Sequence, residues 1–194
     1  MAKHLTDIFG TEQDKVNCPF YWKIGACRHG ETCSRIHNKP LFSQTLICTN
    51  MYPNPLANRI PGPDGQPIQY EEKFLDEHFN DFYEDIWDEF TKYGEVEELH
   101  VCENICPHLV GNVYVKFHTE DEAAASLNSL KGRFYAGKPL LPDFSPVTDF
   151  REARCRQYET EECQRGGLCN FLHVKEPNRK LMKLLFKEQS KKYS

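Results

Sequence analysis

Eight residues of this chain have the types and spacings needed to hold metal ions. Cys18, Cys27, Cys33 and His37 are separated by eight, five and three residues, and Cys155, Cys163, Cys169 and His173 by seven, five and three. Three thiolates and one imidazole are the donor set that a structural zinc ion takes tetrahedrally, and a segment this small has no other core to fold around. Four protein ligands leave no open coordination position, so the expected cofactors are two structural Zn2+ ions, with no water-activating metal. His29-Gly30-Glu31 is reminiscent of a deaminase, but no Pro-Cys-x-x-Cys follows, and no thioredoxin-type Cys-x-x-Cys occurs anywhere. With no nucleophile beside a base and no phosphate-cradling glycine loop, an enzyme is not expected. Cys48, Cys102 and Cys106 fall outside the repeat and read as packing residues or exposed thiols.

The rest of the composition supports reduced, metal-binding cysteines. No apolar run approaches the roughly 18 residues of a membrane span, and Met1 to Gly10 lacks the layout of an export signal. A soluble protein that is not secreted, with no membrane partner, is expected. Its net charge of −5 conceals an asymmetry: residues 1–43 carry +2, residues 44–150 carry −12 and residues 151–194 carry +5. An acidic middle repels phosphate and basic ends attract it, so any contact with RNA belongs to the ends.

The elements that position these clusters follow from hydrophobic period. Thr45–Tyr52 reads as a strand and residues 50–67, rich in Pro, Asn and Gly, as a loop. In Glu72–Tyr93 the residues Phe74, Leu75, Phe79, Phe82, Ile86 and Phe90 recur at helical intervals. Strands over Val96–Cys102 and Gly111–Phe117 follow, then a helix over Glu120–Leu130 with Ala124, Leu127 and Leu130 apolar, and a strand over Lys138–Phe144. The order βαββαβ predicts an α+β, ferredoxin-like domain of the size of an RNA-recognition motif. Asn178–Gln189 reads as a basic C-terminal helix with Leu181, Leu184 and Leu185 at helical spacing. The expected boundaries are a finger at 1–43, the middle domain at 44–145, a second finger at 146–176 and the helix at 177–194.

The spacing of the two clusters resembles the CCCH zinc-finger family, which clasps short single-stranded RNA. In that family bases stack on side chains two residues after the second and third cysteines. Here those positions hold His29 and Arg35 in one finger, Arg165 and Phe171 in the other. Rings and guanidinium planes contribute on the order of 1–3 kcal/mol per stacked base. Around them lie Lys15, Phe20, Lys23, Arg28, Arg151, Arg156 and Tyr158, with Ser34 and Gln157 as small polar groups able to read base edges. Phe20 and Tyr158 have a second reading, as the packing side chains of their fingers.

The middle domain points elsewhere. Val110 to Phe117 occupies the place of the RNA-recognition consensus, but Val110 replaces its cation, Asn112 replaces a stacking aromatic, and Ile47 stands where the first strand carries another ring. The domain instead resembles the U2AF-homology-motif class, whose helical face captures a partner's tryptophan. Arg133-Phe134-Tyr135 is similar to the Arg-x-Phe motif of that class, with Tyr for Phe, and Asp85 and Glu89 match its acidic helix positions. That resemblance implies a cation and ring clamping an indole, carboxylates attracting flanking basic residues, and Phe134 inserting into the partner. Core packing of Phe134 and Tyr135 is the alternative. Taken together with Ser145 to Ala153, the whole arrangement resembles the small-subunit family of the U2 snRNP auxiliary factor. The resemblance implies recognition of the AG dinucleotide at the 3′ splice site of an intron, a heterodimer with the large subunit, and location in the nucleus. The two fingers are expected to meet beside the sheet and form one RNA cleft, neither sufficing alone. The competing function is a zinc-stapled protein-interaction scaffold without direct RNA recognition.

Overall fold

The computed structural model of the protein describes residues 16–57, 66 and 68–193. Lys15 and much of the loop expected over residues 50–67 lie outside the described residues. The first finger consists of α1 (Pro19–Ile24) and a 3-10 turn (Gly30–Thr32). The middle of the chain runs β1 (Thr45–Cys48), α2 (Glu72–Phe90), β2 (Val96–Cys102), β3 (Val113–Phe117), α3 (Glu120–Leu130), β4 (Phe134–Tyr135), β5 (Lys138–Pro139) and β6 (Pro142–Phe144). The second finger holds α4 (Phe150–Ala153), α5 (Arg156–Glu159), a 3-10 turn (Gly166–Leu168) and β7 (Val174–Lys175), and α6 (Arg179–Tyr193) follows.

The strands form one antiparallel sheet in the order β6-β1-β3-β2-β7, and β4 and β5 form a separate hairpin. The first four strands of the sheet have the expected arrangement of an RNA-recognition fold. Strand β7, which directly follows the last zinc ligand, adds a fifth beside β2 through Val101 opposite Lys175 and Cys102 opposite Val174. The strand expected over Lys138–Phe144 divides in two. Ala136 and Gly137, with φ of 46° and 77°, make the tight turn of the β4–β5 hairpin, and the chain pairs with β1 only from Pro142 onward. Strand β1 ends at Cys48 rather than Tyr52, because Asn50 takes a left-handed φ of 52°.

Both faces of the sheet are covered, and all four residues of β1 are buried. Leu46, Leu99, Val101, Val113, Val115 and Phe117 face α2 and α3 and join Phe79, Phe82, Ile86 and Phe90 in the larger core. The opposite face carries Ile47 and Tyr114, which pack with Ile24 of the first finger and with Val147, Phe150, Ala153 and Leu172 around the second. The strand's two-residue period therefore feeds two cores at once.

Helix α2 buries two residues beyond the stripe read from the sequence. Tyr83 and Trp87 face α6, where Trp87 meets Phe186 edge-on at 4.7 Å between ring centres. Phe74 stays nearly half exposed at 47%. Helix α6 is anchored by Leu185 and by Gln189, whose amide accepts from the Val96 N–H at 3.1 Å and donates to the Val96 carbonyl at 2.9 Å. Leu184 remains exposed. Helix α3 starts at a reciprocal capping box between Thr119 and Glu122, and it buries Ala123 rather than Ala124. Among the described residues, no helix is long and apolar enough to cross a membrane.

Candidate zinc centres and nucleic-acid interface

Each finger builds its metal centre in the same way. A cysteine stands just before a one-turn or two-turn helix, and a 3-10 turn separates the second and third cysteines. A parallel bridge then returns the histidine: Asn17 pairs with Ile36 in the first finger and Arg154 with Leu172 in the second. The donor atoms of Cys18, Cys27, Cys33 and His37 lie within 4.8 Å of one another, as do those of Cys155, Cys163, Cys169 and His173. Cys27 and Cys33 have sulfurs 3.9 Å apart, and Cys155 and Cys169 have theirs 3.8 Å apart. Those distances exclude a disulfide, whose sulfurs sit about 2.05 Å apart. They match the roughly 3.8 Å edge of a tetrahedron with zinc–sulfur bonds of about 2.3 Å.

The imidazoles complete the fit. His37 Nε2 and His173 Nε2 are buried and have no hydrogen-bond partner. A buried ring nitrogen left without a partner is costly, and a bound metal removes that cost. Outer contacts prepare the sulfurs for charge, since the His29 N–H points at Cys27 Sγ at 3.4 Å and the Phe171 N–H at Cys169 Sγ at 3.5 Å. Arg165 Nε lies 3.2 Å from Cys169 Sγ. Each ligand histidine is covered by a tyrosine three residues after the first cysteine. Tyr21 stacks on His37 at 4.5 Å and 10°, and Tyr158 stacks on His173 at 4.0 Å and 15°. Sequence reasoning misses Tyr21, although its equal offset in the two repeats points to it. Tyr158 takes the packing reading: besides its ring contact, its hydroxyl donates to Glu103.

The fingers meet on the face of the sheet, not beside it. Tyr114 in the central strand donates its hydroxyl to the Ile24 carbonyl at 2.6 Å. Gly25, at φ 74°, is packed so closely that an added Cβ would lie 2.7 Å from Ser145 Oγ and 3.2 Å from the Tyr114 ring. Phe150 sits over the sheet, with ring centres 4.2 Å from His100 and 5.7 Å from Tyr114. The surface on which an RNA-recognition motif stacks bases is therefore occupied by protein. Asn112, in place of a stacking ring, is buried and fastens two loops: its Oδ1 accepts from the Asn50 N–H at 3.1 Å and its Nδ2 donates to the His108 carbonyl at 3.0 Å.

Where the fingers touch they leave a cleft of about 380 Å³. The first finger contributes Lys23, and the second contributes Arg151, Arg156, Gln157, Arg165 and Phe171. Phe20 reaches across to Phe171 with ring centres 6.2 Å apart. Five cations, including Arg154, face a single carboxylate, Glu152. Lys23 pairs with that carboxylate at 3.5 Å, Arg151 is held by Asp149, and Arg154 is paired with Glu159 and Glu176. Gln157 accepts from Arg165 at 2.9 Å, while Arg156 has no carboxylate partner among the described residues. Arg28, His29, Ser34 and Arg35 are exposed on the first finger and do not line this cleft. Arg28 Nε instead lies 3.2 Å from His29 Nε2.

On the far side of the sheet the expected partner residues form one cluster. Arg133 is ion-paired with Glu89 and lies 3.1 Å from the Tyr93 hydroxyl. Burial would raise the Glu89 carboxyl, but hydrogen bonds from Arg133, Lys92 and Tyr93 override it and hold it at about 2. Tyr135 packs edge-on against Phe82 and donates to Asp85 Oδ2 at 3.3 Å. Burial and the Asp85 charge push its phenol up to about 12, so it stays protonated. Phe134 is 69% exposed and points away from the core that Tyr135 joins.

A single RNA-recognition fold carrying two closed Cys3His centres defines this chain as an RNA-binding zinc-finger protein. Residues 13–39 and 150–175 match the family described as zinc finger C-x8-C-x5-C-x3-H type (and similar), and residues 83–141 match the RNA recognition motif. The chain is 57% identical over 195 residues to a U2af small-subunit splicing factor of Arabidopsis thaliana, covering 100% of this chain and 68% of that protein. It is 56% identical to the splicing factor U2AF 23 kDa subunit of Schizosaccharomyces pombe, covering 98% and 86%, and 51% identical to the U2AF 26 kDa subunit of Rattus norvegicus, covering 96% and 84%. The chain belongs to the U2AF small-subunit family of splicing factors.

Proposed function

We propose that the two fingers together recognise the AG dinucleotide at the 3′ end of an intron, while the helical face of the middle domain binds the large subunit in a nuclear heterodimer. The observation that carries this reading is the cleft, to which both fingers contribute side chains. Its cations neutralise phosphate, and Phe171 with Phe20 offers flat faces for bases. Arg156 is the cation most free to leave its place for a phosphate. The acidic helix and the Arg133–Glu89, Tyr135–Asp85 cluster suit a basic partner segment that brings an aromatic side chain.

The test is binding of the zinc-loaded chain to short RNAs ending in UAG or UAC, with and without the large subunit, over a salt series. Preference for UAG, a steep fall with salt and weakening by Phe171→Ala are expected. Binding to the protein partner alone, with no salt-dependent affinity for RNA, would leave the scaffold reading.

A further inference from the structure

Trp22 is exposed and unused by anything described above. It lies on α1, where Ile24 is fully buried and Tyr21 covers the ligand His37. These contacts fix the helix and turn Trp22 outward at 61% exposure, with no hydrogen-bond or ring partner for its indole among the described residues. A single exposed ring is ordinary, but Trp22 shares its surroundings with the comparably exposed Phe42, and a contiguous apolar patch of that kind marks an interaction surface.

The indole borders a hollow of about 390 Å³ distinct from the inter-finger cleft. Pro40 and Phe42 form its other apolar wall, and Phe42 is itself 68% exposed. Asn38, Gln44 and Thr148 line it with polar groups. The Asn38 Nδ2 already donates to Asn17 Oδ1 at 3.0 Å and the Gln44 Nε2 to the His118 carbonyl at 2.7 Å, which leaves their amide oxygens and the Thr148 hydroxyl to meet base edges. Its charges are nearly spent: Lys39 is paired with Asp143, Lys116 with Glu97 and Glu98, and Glu120 faces the same space.

We infer that this hollow is a further subsite for single-stranded RNA, in which a base next to those in the cleft stacks on Trp22. The inference rests on the RNA reading of the cleft. Continuity favours RNA over a protein occupant, because Lys23 lines the cleft and Trp22, the adjacent residue of the same helix, lines the hollow. The wall is a flat ring with polar groups around it, which suits a base better than the fully apolar centre of a protein interface. Paired lysines leave stacking, not phosphate neutralisation, as the contribution.

Trp22 and Trp87 are the two tryptophans of the chain, and Trp87 is buried, so a change in indole emission reports on Trp22. The experiment titrates the zinc-loaded full chain with UAG and with the same triplet extended by two nucleotides on its 5′ or 3′ side. One extended RNA should quench the emission. Trp22→Ala should weaken that RNA roughly tenfold or more, as expected for one lost stacking contact, leave UAG itself unchanged, and leave the salt slope unchanged. Trp22→Phe should restore most of the affinity. Equal affinity of the wild type and Trp22→Ala for every extended RNA overturns the inference while the cleft reading stands. An emission change on adding the large subunit that Trp22→Phe abolishes, with no response to any RNA, overturns it in favour of a protein contact. Failure of every RNA to bind overturns both readings.

Discussion

The hydroxyl of Tyr114, on the central strand of the sheet, donates to the main-chain carbonyl of Ile24, at the end of the first finger's helix, across 2.6 Å of fully buried space. This contact turns a nucleic-acid platform into a floor for the fingers. Tyr114→Phe leaves the Ile24 carbonyl without its donor, and chemical denaturation should show a loss of about 1–3 kcal/mol. Unchanged stability would mean that the carbonyl finds another donor.

Asn112 gives the complementary test. Restoring an aromatic there with Asn112→Phe should not create an RNA-binding sheet, because the surface is covered and the Asn50 N–H and His108 carbonyl lose their partner. The melting temperature should fall, with no gain in RNA affinity in a salt titration. A gain would show that the fingers lift off the sheet.

Gly25→Ala should act on the same interface. The added methyl meets Ser145 and Tyr114 at a left-handed φ, so the loss should exceed the roughly 1 kcal/mol typical of conformational strain alone. Thermal melting of the variant measures it.

Chelation should do more than unfold two small appendages. Ile24, Phe150 and Leu172 cover the sheet from within or beside the fingers, and β7 extends its edge. Removing zinc should therefore expose this second core and raise binding of a hydrophobic dye, with the effect reversed by adding zinc back. Dye binding that stays flat would show that the cover holds without metal.

The Glu89 carboxyl, held at about 2 against an ordinary 4.5, has a defined sign. Its stabilising contribution is fully present above about 4.5, declines as pH falls from there, and is gone once pH has fallen through about 2. Carbon NMR of the Glu89 side chain should show no titration between pH 7 and about 4 in the folded protein, and Arg133→Ala should raise its midpoint. A wild-type midpoint near 4.5 would contradict the pairing.

The zinc ligands and the order of the sheet's first four strands are legible in the sequence because each rests on local spacing, whether of donor atoms or of apolar residues. The departures at Asn112 and Ile47 argue correctly against a stacking sheet. What covers that sheet is not legible, since Tyr114 meets Ile24 across 90 positions. Tyr83 and Trp87 likewise acquire meaning only once α6 packs against them. Tyr21 is the instructive omission. Its counterpart Tyr158 reads from composition as either an RNA contact or the packing ring of its finger, and aligning the two repeats from their first cysteines sets both rings on their ligand histidines.

The most direct test of a single RNA surface shared by the fingers is a double-mutant cycle on one short UAG RNA, using Phe20→Ala in the first finger and Phe171→Ala in the second. Each variant should weaken binding, and the pair should be non-additive, as for side chains in contact on one ligand. Loss confined to one variant, with the other at wild-type affinity, would contradict a shared surface.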